Sequence, residues 1–309
     1  MNRVAFIFPG QGSQKVGMGQ DAHQADSRAR DVFERADAAL GFSLTKLCFE
    51  GPEEELRLTA NTQPAILTVS YALYQALGET PDWVAGHSLG EWSANVVAGA
   101  LAFEDAVRLV RKRGQYMQEA VPVGEGAMAA VLRAERALVD AICEATEGVV
   151  EAVNYNSPGQ IVIAGAKDAV ERASERLKEE KARVMPLPVS APFHCSLMRP
   201  AEERLSHDLE PIEFGDPEFR LYANVTAEPI EQGSKLKEAL TLQVSRPVRW
   251  EELIRRMIAD GAGLFVEIGP GRVLTGLVSR IDKNVNVLSV QSMDDLEAAR
   301  TAIAEFRAS

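Results

Sequence analysis

Gly86-His87-Ser88-Leu89-Gly90 constrains this chain more than any other stretch. Residues 82–85 before it suit a short strand, and residues 91–97 after it suit the start of a helix. A serine between two glycines at such a corner is the G-x-S-x-G elbow. The glycines allow strand and helix to approach closely and permit a strained backbone, which leaves the serine oxygen exposed at the helix N-terminus. The same five residues also suit an ordinary glycine turn with a helix-capping serine, so the surrounding chain has to decide.

The preceding elements are of the α/β kind. Residues 4–8 read as a short buried strand, followed by the glycine-rich loop Pro9-Gly10-Gln11-Gly12-Ser13, whose accessible amides suit an anion. Neither nucleotide pattern is met: Gly12 to Gly17 is followed by Met18 rather than Lys-Ser/Thr, and Lys15 stands where a dinucleotide loop needs glycine. Residues 26–40 and 64–77 read as core helices, the second with Ile66, Val69, Leu73 and Leu77 in one stripe.

Residues 103–120 form a further helix whose charges are informative. Arg108, Arg111, Lys112, Gln115 and Glu119 share a solvated face, whereas Arg113 falls among Ala102, Ala106, Leu109, Val110 and Met117. A guanidinium placed in an apolar stripe requires an anion. An internal Asp or Glu and the carboxylate of a ligand satisfy that requirement equally well.

From Gly126 the order is β-α-β-β-α-β: strands at 127–132, 149–154, 160–164 and 183–189, helices at 135–146 and 167–181. This is a ferredoxin-like split βαβ unit with neighbouring ends, suited to insertion into a larger domain. Its turn 155–159, containing Asn156 and with Asn154 before it, is expected either to face the cleft or only to reverse the chain. Three prolines (Pro186, Pro188, Pro192) then exclude a helix and deliver His194 on a loop. His23 and His207 lie in polar helical segments and His87 should point away from Ser88, which leaves His194 as the candidate base. Strands at 219–224 and 264–268, with a helix at 250–258 between them and another after Gly269-Pro270-Gly271, resume the alternation. The expected class is therefore α/β: a large domain with a mostly parallel sheet from residues 1–125 and 191–309, and an inserted ferredoxin-like subdomain from residues 126–190. Sites in such sheets gather at the carboxyl ends of strands.

Composition narrows the chemistry. The net charge of −12 over 309 residues argues against nucleic acid and anionic membranes as partners, and no apolar run reaches membrane-span or signal-peptide length. Three scattered cysteines provide neither a disulfide framework nor metal-ligand spacing, so a reducing cytoplasm and no metal are expected.

Six ordered stretches resemble the malonyl-CoA:acyl carrier protein transacylases: 8–14 (Phe-Pro-Gly-Gln-Gly-Ser-Gln), 86–91 through Glu91, Arg113, 190–194 (Ser-Ala-Pro-Phe-His), Gln243 before Arg246-Pro247-Val248, and 267–271 (Glu-Ile-Gly-Pro-Gly). The resemblance covers nearly the whole chain and implies an α/β-hydrolase-like large domain with its groove against the small one. It implies Ser88 as nucleophile, His194 as its base, the backbone amides of Gln11 and Leu89 as oxyanion hole, a main-chain carbonyl near Gln243 orienting the histidine, and Arg113 clamping the malonyl carboxylate. Phe193 and Asn156 are expected on the substrate side. No permanently bound cofactor is implied: malonyl-CoA is the donor, and an acidic holo acyl carrier protein presents its phosphopantetheine thiol as acceptor, for fatty acid or polyketide synthesis. Lys15, Arg111, Lys178, Lys181 and Arg183 are candidate contacts for that carrier. A monomer is expected, and the start at Met1 just before the first strand suits a stand-alone enzyme. A serine hydrolase or thioesterase, and a non-catalytic carrier-binding protein, are the alternatives.

Overall fold

In a computed structural model describing residues 3–189 and 191–309, the chain forms two sheets. The strands are β1 Arg3–Phe8, β2 Trp83–Gly86, β3 Gly126–Leu132, β4 Val150–Ser157, β5 Gln160–Ala166, β6 Arg183–Pro186, β7 Arg220–Tyr222, β8 Pro229–Ile230, β9 Ala262–Ile268 and β10 Asn286–Val290. The larger sheet runs β10-β9-β1-β2-β7-β8, parallel except for β8 at its edge. Residues 4–8 of β1 are wholly buried because both faces of the sheet carry helices: Val4, Phe6 and Phe8 enter one core, Ala5 and Ile7 the other.

The smaller sheet, β4-β5-β3-β6, is antiparallel throughout, the order expected of the ferredoxin-like unit. Helices Arg136–Glu144 and Lys167–Glu179 pack on one face. The other face puts Met128, Val153, Val162 and Ala164 against Cys195, with Leu187, Val189 and Phe193 alongside. Two backbone bonds stitch this unit to the rest of the chain: Val248 N–H donates to Val153 O (2.8 Å), and Tyr155 N–H to Val248 O (3.0 Å). Ser190, where the subdomain was expected to end, lies outside the described residues.

Three boundaries differ from the sequence reading by three residues or more. The helix expected from Pro64 is Thr59–Leu77, because the turn before the proline is helical too. The strand expected to stop at Asn154 continues as β4 to Ser157, with bulges on either side of Asn154, so only Pro158 and Gly159 reverse the chain. The last subdomain strand ends at Pro186, three residues early, since the proline-rich segment cannot extend the ladder.

Parallel register aligns the sheet's functional ends. Phe8 of β1 lies opposite Gly86 of β2, and β7 pairs with the other side of β2. The loop bearing Gln11, the elbow bearing Ser88 and the residue Asn224 therefore all leave the carboxyl edge side by side.

Candidate active site

The elbow is strained and tightly packed. Ser88 has φ 52° and ψ −108°, a region a side chain rarely occupies. A Cβ on Gly86 would stand 1.9 Å from Gly90 C, and one on Gly90 would stand 1.9 Å from Phe8 O, so both positions require glycine. Asn224 pins the corner from β7: its Nδ2 donates to Gly86 O (2.7 Å) and its Oδ1 accepts from Ser88 N–H (2.7 Å). The amide of Leu89, the first residue of helix Leu89–Val97, has no intrahelical acceptor and remains available to an anion beside Ser88.

His194 also adopts positive φ, 65°, on the loop after the proline-rich segment. Its Nε2 lies 2.7 Å from Ser88 Oγ and its Nδ1 2.7 Å from Gln243 O. A carbonyl only accepts, so Nδ1 carries the hydrogen and Nε2 accepts from the serine hydroxyl. Burial, followed by the nearby Arg113 charge, lowers the His194 pKa to about 3, so the imidazole is neutral at physiological pH.

Arg113, on helix Phe103–Glu119, is 1% exposed. Its Nη1 donates to Gln63 Oε1 (2.7 Å) and its Nη2 to Gln243 Oε1 (3.0 Å) and Ser88 Oγ (3.3 Å), while Nε has no partner among the described residues. No carboxylate pairs with it there. Burial lowers its pKa to about 10, opposed by Glu91, which acts at longer range. Of the two anions left open by the sequence, the internal ion pair is absent, and the guanidinium instead lines a cavity of about 130 Å³ with Gln11, Gln63, Ser88, Leu89, Phe193 and His194. A larger hollow of about 520 Å³ at the β8 edge contains no serine–histidine pair.

Asn156 is the correction. It does not line the cavity: its Oδ1 meets His87 Nε2 at 2.7 Å, behind the elbow, because β4 continues past the expected turn and carries it there. Asn154 lines the cavity instead, with a buried Oδ1 that has no partner among the described residues. His87 faces away from Ser88, as expected, and packs edge-on against Trp250. Sequence reasoning missed Gln63, Glu91 and Asn224. Asn224 follows β7 at the carboxyl edge, a position the strand-end rule could have flagged. Among the described residues no cluster of His, Cys, Asp or Glu is placed to hold a metal, and no helix is long and apolar enough to cross a membrane.

A serine on a strained strand-to-helix corner, a histidine held by a backbone carbonyl and a buried arginine that no carboxylate of the described residues bonds directly form a site suited to covalent acyl transfer at the edge of a parallel sheet. The chain belongs to the acyl transferase domain family, whose model matches residues 5–303. The malonyl CoA-acyl carrier protein transacylase of Bacillus subtilis (strain 168) is 46% identical over 314 residues, covering 99% of this chain and 98% of its own. The crystal structure of the malonyl CoA-acyl carrier protein transacylase from Clostridium perfringens superposes with a TM-score of 0.96 at 44% identity, covering 99% of this chain and 98% of that one. A malonyl-transacylase solved in complex with a type II PKS acyl-carrier protein gives 0.95 at 44% identity, covering 97% and 100%.

Proposed function

We propose that this chain transfers a malonyl group from malonyl-CoA to the phosphopantetheine thiol of a holo acyl carrier protein through an ester on Ser88, in the cytoplasm, supplying fatty acid or polyketide synthesis. The observation that carries this reading is Arg113, a buried guanidinium that no carboxylate among the described residues bonds directly, 3.3 Å from Ser88 Oγ. Two parallel charge-assisted bonds from its fork suit the free carboxylate of a short diacid.

In the first half-reaction, Ser88 Oγ bonds to the thioester carbon while His194 Nε2 takes its proton. The oxyanion meets the amides of Gln11 and Leu89; losing one such donor typically costs ~10²–10³ in rate. The C–S bond then breaks and the CoA sulfur takes the proton from Nε2. In the second, the carrier thiol gives its proton to Nε2, its sulfur attacks the ester carbon, and Oγ leaves with that proton. A docked malonyl carboxylate also offsets the Arg113 charge, which otherwise disfavours the imidazolium.

Residues 126–190 act as a subdomain forming one wall of the groove, residues 1–125 and 191–309 as the catalytic domain, a division supported by the separate sheets. Lys15, Arg111, Lys181 and Arg183 remain candidate carrier contacts; Lys178 lies on helix Lys167–Glu179, on the sheet face opposite Val189 and Phe193.

The test is intact-protein mass spectrometry after mixing with malonyl-CoA. A malonyl adduct on the Ser88 peptide, stable in buffer and discharged by holo carrier protein, is expected. An adduct that survives Ser88→Ala overturns the reading, and one that hydrolyses without a thiol favours a hydrolase.

A further inference from the structure

The transfer mechanism leaves one buried carboxyl group beside Gln243 without a task. Glu91 lies in the first turn of helix Leu89–Val97 and is fully buried. Its Oε2 accepts from Gln243 Nε2 (2.6 Å) and from the Asn224 N–H (2.9 Å); its Oε1 has no partner among the described residues. Those bonds decide how Gln243 is turned. With Nε2 directed at Glu91, at Ser88 O (3.1 Å) and at Asn224 Oδ1 (3.2 Å), its Oε1 is the end left to receive Arg113 Nη2. Reversing the amide would put two donors face to face at Arg113.

Carboxylate, amide and guanidinium therefore form a line inside the protein. Arg113 is the charge acting on Glu91 among the described residues; Gln243 and Asn224 are uncharged, and burial keeps His87 and His194 neutral. In the empty cavity one cation balances one anion across Gln243. A second carboxylate on Arg113 would leave an uncompensated negative charge in the buried line, which low-dielectric surroundings disfavour strongly. Protonating one carboxyl removes that excess. The substrate carboxylate is held by the guanidinium, so the proton falls to Glu91, where Oε1 can carry it while Oε2 keeps both of its bonds. Burial already raises the Glu91 pKa to about 7, despite Arg113 and those two bonds.

We propose that Glu91 is the counter-charge of Arg113 in the empty site and a positioning residue for Gln243, and that it takes up one proton from solvent when the substrate carboxylate docks. Loading is then an exchange of one carboxylate for another at constant charge. The O–H bond formed at Oε1 breaks again, returning the proton to solvent, when the acyl group leaves on the carrier thiol. This rests on the reading of Arg113 as a carboxylate clamp.

The experiment is titration calorimetry of malonyl-CoA into the full-length Ser88→Ala protein, in buffers of different ionisation heat, with acetyl-CoA as the control for the CoA moiety. Uptake of about 0.5 proton per site above that control at about pH 7.5 is expected, falling to near zero when Glu91→Gln is added. Malonyl-CoA binding that depends on Arg113 but takes up no proton overturns the proposal, as does equal uptake with Gln at position 91. If Arg113→Ala leaves malonyl-CoA binding unchanged, the clamp reading itself fails and the proposal falls with it. Should the Glu91→Gln protein not fold, an infrared difference spectrum of the Ser88→Ala protein decides: a new protonated-carboxyl band on adding malonyl-CoA supports the proposal, and its absence overturns it.

Discussion

Arg113 Nη2 stands 3.3 Å from Ser88 Oγ, so on the proposed reading the group that holds the free carboxylate lies against the atom that bonds the acyl carbonyl. This closeness limits the acyl group to one whose charge lies a few bonds from the reacting carbonyl. It also places a permanent cation beside a neutral histidine, which makes the site dependent on an incoming anion.

Arg113→Ala is expected to lower kcat/KM for malonyl-CoA roughly 10²–10³-fold and to leave acetyl-CoA nearly unchanged or improved, collapsing the preference between them. Arg113→Lys should lose nearly as much, because a single ammonium cannot reproduce the fork that already spans Gln63 and Gln243. Competition between the two donors, read by the mass of the acyl-enzyme, checks both.

Gly90→Ala should prevent folding or cost at least about 3 kcal/mol, since the new methyl group would meet the Phe8 carbonyl oxygen at 1.9 Å. Gly276→Ala, in helix Val273–Ile281 with nothing within 4 Å of its Cβ, should instead stabilise by about 0.5–1 kcal/mol. Urea midpoints for the two variants therefore move in opposite directions.

The stability of the empty protein should carry two opposing pH slopes. His194 has its pKa lowered from 6.5 to about 3, so between these values the unfolded chain binds more protons and stability is lost as pH falls from 6.5 towards 3. Glu91 has its pKa raised from 4.5 to about 7, so in that window the folded chain binds more protons and stability is lost as pH rises towards 7. Glu91→Gln removes only the second slope. The difference in urea midpoint, variant minus wild type, should grow from about pH 5 and level off above about pH 7. A constant difference would exclude this assignment.

How much of this was legible in sequence depends on the kind of signal. The elbow, the stripe position of Arg113 and the delivery of His194 by a proline-rich loop are local patterns, readable because spacing along one element fixes them. Four strands of the larger sheet were legible as an alternation, but β10 at one edge was passed over, and β8 at the other, two residues long, carries too little pattern to be read. The roles of Gln63, Glu91 and Asn224 went unread for a different reason. They come from three distant segments and matter through bonds to Arg113, to Gln243 and to the elbow respectively, and no periodicity marks a polar residue that faces a polar partner. Asn156 was misplaced by a local feature: bulges around Asn154 let β4 run on where a turn was expected, which exchanged the asparagine at the cavity for the one behind it.

Asn224 and Gln243 allow the framework of the site to be separated from its specificity. Asn224→Ala removes the bonds to Gly86 O and Ser88 N–H and the longest of the three bonds from Gln243 Nε2, whose bonds to Glu91 and Ser88 O still turn its Oε1 to Arg113, so it should lower kcat for malonyl-CoA and acetyl-CoA alike while leaving their ratio intact. It should also cost about 1–3 kcal/mol of stability, because Gly86 O and the Ser88 amide lose their side-chain partner. Gln243→Ala keeps the backbone carbonyl that holds His194 Nδ1, so the base remains oriented, but it removes the acceptor on Arg113 Nη2 and the donor on Glu91. The guanidinium is then free to turn, and the ratio of malonyl to acetyl loading should fall while acetyl kcat changes little. Parallel kinetics on the two variants test this. A drop in the donor ratio for Asn224→Ala, or an unchanged ratio for Gln243→Ala, would show that the elbow and the clamp are not separable.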